Sequence, residues 1–219
     1  MRIVFKNVNK NFGLINALKD VNLKVNSGDF VFLSGPSGSG KSTIIKLILS
    51  QIKPTSGQII IGDHSLLPGA KKEIDSIRKK IGVIFQNYQL IADKSLEENI
   101  ALNLDIVSYP KEKIQSKIDE VIKKVDLGTR RLLYPSQLSG GELQRAALAR
   151  ALATDPEIIL ADEPTGNLDQ TNSWMLVKLL KDINQKSHCT ILMATHDDDI
   201  VRSMGKKVIY LQNGRIIKK

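Results

Sequence analysis

Hydrophobic and polar positions along the chain fall into short blocks with two different periods. Residues 2–8 and 21–25 alternate apolar with polar, as half-buried strands do, and Asn26-Ser27-Gly28-Asp29 after the second block reads as a turn. Phe30-Val31-Phe32-Leu33 is a continuous apolar run of the buried-strand kind. It enters a glycine-rich loop, and Ile44-Ile45-Lys46-Leu47-Ile48-Leu49 then reads as a helix. Further strand-like runs stand at 58–61 and 81–85.

From Ser95 to about Ala153 the strand signals disappear. Ile114, Ile118, Val121, Ile122 and Val125 form a stripe at helical period, which predicts a helix with its apolar face on a core rather than on a membrane surface. Strand signals return at 157–161, 190–194 and 208–211, with a helix near 173–183 and a hairpin turn at Asn213-Gly214. Strands alternating with helices predict an α/β fold with a mostly parallel sheet covered on both faces. The strand-rich start adds a small antiparallel layer. The whole of 1–219 is expected to form a single domain, with a helical sub-region at about 88–153.

Composition narrows this little. Apolar residues make up 42% and charged residues 25%, which suits a chain that buries a core. Lys and Arg number 32 against 23 Asp and Glu, a net charge of +9 that favours an anionic partner. One cysteine, Cys189, excludes an internal disulfide framework and fits a reducing compartment. No apolar run approaches about eighteen residues, and the start Met1-Arg2-Ile3-Val4-Phe5-Lys6 lacks a signal-peptide pattern. The expectation is a cytosolic protein that meets a membrane only through a partner.

The chemistry begins at Gly35-Pro36-Ser37-Gly38-Ser39-Gly40-Lys41-Ser42, which satisfies G-x-x-x-x-G-K-[ST] between a predicted strand and a predicted helix. Glycines let successive backbone N–H groups turn inward onto phosphate oxygens, and the helix N-terminus adds its positive dipole end. Lys41 is expected at the β- and γ-phosphates, Ser42 on Mg²⁺, and Thr43 on a further phosphate oxygen. Ser34, just ahead of the loop, belongs to the same candidate set.

Ile158-Ile159-Leu160-Ala161-Asp162-Glu163 is an apolar strand ending in two acids. Two such acids alone read equally well as solvated loop residues, but a phosphate loop upstream gives them a ligand. Asp162 would hold Mg²⁺, and Glu163 would act as general base on the attacking water. Leu138-Ser139-Gly140-Gly141-Glu142 opens a helix with a serine and two glycines, a second anion site. A chain with its own phosphate loop has little use for one, so Ser139 and Gly141 are expected on the γ-phosphate of nucleotide bound to a second copy.

These residues together resemble the nucleotide-binding subunits of the ATP-binding-cassette (ABC) family over nearly the whole chain. The resemblance adds a Q-loop glutamine at Gln86, a D-loop region at Pro164-Thr165-Gly166-Asn167-Leu168-Asp169, a switch histidine at His196 and an adenine-stacking ring at Phe12. It implies a P-loop NTPase fold with a RecA-like core, and a head-to-tail homodimer burying two ATP with Mg²⁺. Gln86 would stand near the metal and report on the membrane partner. His196 would hydrogen-bond the γ-phosphate, and Gly140, Glu142 and Asp169 would complete the nucleotide-binding set. Leu143 and Phe12 depart from the commoner glutamine and tyrosine; neither change removes a phosphate ligand, and a phenylalanine still stacks.

Ala161 to Asp169 resembles the branch that holds the FtsE-type cell-division ATPases, and Ile84-Phe85-Gln86-Asn87-Tyr88-Gln89-Leu90 and Leu192-Met193-Ala194-Thr195-His196-Asp197 lean toward the FtsE type within it. That branch also holds the lipoprotein-release and macrolide-export ATPases, which remain an alternative. The implied partner is an FtsX-like integral membrane protein, contacted through residues 87–96 from the inner face of the membrane. The implied output is control of cell-wall hydrolysis, with no nucleic acid involved. A DNA-repair or chromosome-organising head is the distant alternative, disfavoured because no sustained heptads separate the phosphate loop from the signature.

The remaining conspicuous residues read plainly. His64 and His188 are expected in surface loops, Trp174 in helix packing and Cys189 in a core. Lys71-Lys72, Arg78-Lys79-Lys80 and Lys123-Lys124 are expected on solvated faces, with an anionic membrane surface as the alternative.

Overall fold

The computed structural model describes residues 1–66 and 71–217. Its N-terminal layer is an antiparallel sheet in the order β2-β1-β4-β5, built from β1 (Ile3–Phe12), β2 (Ile15–Val25), β4 (Ser56–Ile61) and β5 (His64–Ser65). The first two strands run past the segments that alternation marks. Bulges break the period of two between Phe5 and Val8, between Val8 and Lys10, and again before Asn11. At the bulges Asn7 and Asp20 take positive φ, and polar side chains replace ladder bonds: Asn22 Oδ1 accepts from the Asn7 N–H and Asn9 Oδ1 from the Asp20 N–H, both at 2.9 Å. His64, expected in a loop, pairs within β5, a strand of two residues and too short to carry a pattern.

The second sheet has the order β10-β9-β3-β8-β7-β6, with β3 (Phe30–Ser34), β6 (Ile81–Phe85), β7 (Ile158–Asp162), β8 (Thr190–Thr195), β9 (Lys207–Gln212) and β10 (Arg215–Ile217). Five of these strands run parallel, and β10 turns back on β9 through Asn213-Gly214. The sheet separates two cores, which explains the unbroken apolar runs. In β3, Phe30 and Phe32 face one core while Val31 and Leu33 face the other. In β7 and β8 neighbouring residues divide in the same way. Each fully buried side chain of this size contributes roughly 1.5–3 kcal/mol.

One core packs the sheet against α1 (Lys41–Ile48) and the antiparallel layer. The other packs it against α3 (Leu96–Ile106), α4 (Ile114–Lys124), α5 (Gly140–Leu152) and α6 (Gln170–Ser187). The predicted stripe lies on this second core: Ile118, Val121, Ile122 and Val125 are buried and Ile114 packs partly against them. Helices α3 and α5 each begin in a capping box, Ser95 with Glu98 and Ser139 with Glu142. Helices α2 (Lys71–Arg78) and α7 (Asp198–Met204) complete the set; they are eight and seven residues long and bury one and three residues. Trp174 packs against the helical core and Cys189 is buried, with its thiol pushed up to about 12 by burial. His188, exposed, closes α6 in a left-handed cap. The basic clusters are exposed, although Arg78 also donates to the Leu49 and Ser50 carbonyls at 2.8 and 3.0 Å.

Among the described residues no helix is long and apolar enough to cross a membrane.

Candidate functional site

Strand register brings the chemistry to one edge. Ser34 pairs with Thr195, Ala194 with Asp162, and Asp162 with Phe85, so four parallel strands end nearly level. The residues that follow those ends are Gly35, His196, Glu163 and Gln86. Side chains far apart in the chain thus meet at the carboxyl ends of a parallel sheet, where open α/β sheets bind ligands.

An open cleft of about 1030 Å³ lies there. Ser37, Gly38, Gly40, Lys41, Ser42 and Thr43 line it from the phosphate loop, and Gln86, Asp162 and Glu163 line it from the neighbouring strand ends. The loop needs a glycine before the helix. Gly40 has φ 111°, and a Cβ there would stand 2.8 Å from the Ala17 carbonyl oxygen. Lys41 is 4% exposed, and its ammonium donates to the carbonyls of Gly35 at 2.7 Å and Pro36 at 3.1 Å. It also stands 3.2 Å from Glu163 Oε1, whose Oε2 is 2.7 Å from His196 Nδ1. Glu163 itself has φ 48° and is tied to β8 through its N–H and the Ala194 carbonyl at 3.0 Å. A left-handed residue after a strand turns its carboxylate back toward the loop.

The Ser42 hydroxyl donates to Asp162 Oδ1 at 3.0 Å, joining the first turn of α1 to the end of β7. Burial raises the Asp162 pKa and the neighbouring Glu163 charge adds to it, against the Ser42 hydrogen bond and the Lys41 and Lys46 charges. Gln86 forms a reciprocal pair with Asn167: Gln86 Nε2 donates to Asn167 Oδ1 at 3.3 Å, and Asn167 Nδ2 donates to the Gln86 carbonyl at 3.0 Å. With the amide nitrogen so occupied, the Gln86 side-chain oxygen is left as an acceptor.

Other residues singled out in the chain lie elsewhere. Ser34, Gly35, Pro36 and His196 line an adjoining cavity of about 360 Å³, from which His196 reaches Glu163 and the Gly35 and Pro36 carbonyls reach Lys41, and Ser39 is buried. Phe12 is half exposed outside the cleft lining, with the Lys10 ammonium 4.8 Å from its ring centroid. Ser139, Gly140, Gly141 and Glu142 head α5 and are not among the lining residues, although a Cβ on Gly140 would stand 3.7 Å from the Asn167 carbonyl oxygen. There Glu142 Oε2 accepts from the Ser139 N–H and hydroxyl at 2.9 and 2.8 Å, and its carboxyl is held at about 2 by Arg130, 2.7 Å away, with help from Ser139. Asp169 caps α6, accepting from the Asn172 N–H at 2.8 Å, which lowers its pKa. Lys19, Lys46, Asn167 and Asn213 also line the cleft. Asn167 lies in the D-loop region without a role of its own, Asn213 belongs to the hairpin turn, and Lys19 and Lys46 carry no motif; the approach of β2 and the β9–β10 turn brings Lys19 and Asn213 in.

A buried ammonium, facing hydroxyl and carboxylate oxygens and a glycine-lined loop fit a polyphosphate with a hard divalent cation. Known proteins agree. The family model described as "ABC transporter" matches residues 18–166. The "Cell division ATP-binding protein FtsE" of Bacillus subtilis (strain 168) is 41% identical over 204 residues, covering 93% of this chain and 89% of that protein. The "Methionine import ATP-binding protein MetN" of Vibrio vulnificus (strain YJ016) is 41% identical over 205 residues, covering 94% of this chain and 60% of that protein. Among solved structures, the dimeric post-hydrolysis state of the ATP-binding cassette MJ0796 bound to ADP and Pi matches with TM-score 0.89 and 38% identity, covering 99% of this chain and 97% of that one.

Proposed function

The chain belongs to the ABC transporter family and is an ATP-hydrolysing cassette; from that membership we propose that it is an FtsE-like subunit, driving an FtsX-like integral membrane protein to control cell-wall hydrolysis during division. The observation that carries the chemistry is the meeting of Lys41, Glu163 and His196 beside the Ser42–Asp162 pair. The FtsE relatives support the finer role. So does the resemblance of residues 84–90 and 192–197, at the strand ends feeding the cleft, to that branch.

Two copies close head to tail around two ATP. Two facts support this: the Ser139 end of α5 lies outside its own chain's cleft, and the related cassette MJ0796 was solved as a dimer. In the closed state Lys41 leaves the Gly35 and Pro36 carbonyls for the β- and γ-phosphate oxygens, and Ser139 of the second copy donates to the same γ-phosphate. Ser42, Asp162 and the Gln86 amide oxygen would hold Mg²⁺, which neutralises phosphate charge when bound. Glu163 orients the attacking water and accepts its proton, and His196 steadies Glu163 and the γ-phosphate. The rate comes from positioning and charge stabilisation in a closed site.

The 41% identity to MetN favours a second reading, an ATPase that drives an import permease with the same catalytic residues. Purifying the Glu163→Gln form from native membranes with ATP and Mg²⁺, with mass spectrometry of what accompanies it, separates the two. An FtsX-like protein is the expected result. A permease of an importer or exporter moves the function to transport, and recovery without any membrane protein overturns both.

A further inference from the structure

The segment just after Gln86 adopts a backbone that the residues would not choose by themselves. Tyr88 and Gln89 have φ of 59° and 51° in succession, and neither is Gly, Asn or Asp. Left-handed conformations cost ordinary L residues free energy, so two in a row need an external restraint.

The Tyr88 and Gln89 N–H groups donate locally to the Phe85 and Asn87 carbonyls at 3.1 and 2.5 Å, and the restraint from outside the turn comes from α5. The Arg150 guanidinium donates to the Tyr88 carbonyl at 3.1 Å and to the Gln89 carbonyl through its other terminal nitrogen. Among the described residues Arg150 has no carboxylate partner, so its charge is directed at these two carbonyls. A planar fork of donors suits such a pair, where a lysine would offer one point contact. The base of the side chain is fixed as well. The Arg150 carbonyl accepts from Asn103 Nδ2 at 2.9 Å, and α5 presses so close to β6 that a Cβ on Gly82 would stand 2.7 Å from the Ala151 oxygen. Six residues earlier on the same helix, Gln144 Nε2 donates to the Phe85 carbonyl at 3.4 Å, immediately before Gln86. The helix headed by Ser139 therefore grips both sides of Gln86.

We propose that Arg150 is a positioning residue for ATP hydrolysis: by locking the left-handed turn at Tyr88–Gln89 it fixes the loop carrying Gln86 and ties that loop to the helix headed by Ser139. The proposal rests on the reading of the cleft as a hydrolysis site with Gln86 at its metal end. The phosphate loop lies outside this linkage, so Arg150 governs turnover and leaves nucleotide affinity nearly alone.

Steady-state ATPase assays on the full chain test it. Arg150→Ala should lower kcat roughly tenfold while KM for ATP stays within about twofold, and Arg150→Lys should fall between the two. The decisive variant adds Gln89→Gly to Arg150→Ala. Glycine takes left-handed φ without restraint, so kcat should return to within about threefold of the unmodified protein. Gln86→Ala serves as the control for the underlying reading. If Gln86→Ala leaves turnover unchanged, the reading of Gln86 fails and the proposal falls with it. If Gln86→Ala lowers turnover while Arg150→Ala does not, only the proposal is overturned. It is equally overturned if Gln89→Gly restores nothing, or if the Arg150→Ala loss comes with a raised KM and a matching fall in Tm.

Discussion

Replacing Glu163 by glutamine keeps the shape of the side chain and removes one negative charge. That charge lies 3.2 Å from Lys41 Nζ and 2.7 Å from His196 Nδ1, with Glu163 19% exposed and Lys41 4% exposed. At 3.2 Å and an effective dielectric constant of about 20, the Lys41–Glu163 attraction is about 5 kcal/mol before solvation is counted. Water in the open cleft and the amide contact retained by glutamine reduce the net difference to about 1 kcal/mol. ATP must break this ion pair to recruit Lys41, so the variant should bind ATP about fivefold more tightly. Its turnover should fall by about 10²–10⁴, the usual contribution of a general base. Titration with a fluorescent ATP analogue measures the first effect and phosphate release the second. Hydrolysis within about tenfold of the unmodified protein would remove Glu163 from the base role. Weaker ATP binding would refute the competition between Glu163 and phosphate for Lys41.

Two further outcomes follow from named contacts. The Glu142 carboxyl, held down from 4.5 to about 2 chiefly by Arg130, contributes stability that is fully present above pH 4.5 and lost as pH falls toward 2. After solvent screening this is roughly 1 kcal/mol, so the stability gap between the unmodified protein and Glu142→Gln in urea should close between pH 5 and about pH 2; a gap independent of pH would contradict the assignment. Gly82→Ala would place a methyl 2.7 Å from the backbone oxygen of Ala151, forcing β6 and α5 apart at a cost of about 1–3 kcal/mol. Urea denaturation should show that loss, and an unchanged midpoint would mean that the helix gives way freely.

Much of this protein is legible along the chain, for local reasons. A phosphate loop is one continuous segment whose glycines and helix N-terminus act on their immediate neighbours, so Gly35 to Thr43 can be read without a fold. Strands buried on both faces announce themselves as apolar runs because each successive residue enters a different core, as in β3, β7 and β8. Where local pattern was broken or absent, reading fell short. Bulges break the alternation in the second half of β1, and α2 and α7 are only eight and seven residues long.

The sequence by itself determined the apolar strands of the parallel sheet, the α4 stripe, the phosphate loop, the paired acids and the signature turn, because each rests on a pattern within a few residues. Tertiary structure alone decided which of them meet. Parallel register sets the ends of β3, β6, β7 and β8 level, and so brings Glu163 to Lys41, 122 residues before it, and to His196, 33 residues after it. It also decided what holds Gln86: Asn167 on one side, and Arg150 on the other through two left-handed carbonyls. No spacing rule along a chain encodes an arginine that reaches a backbone oxygen 62 residues away; that contact exists only once α5 has packed onto β6.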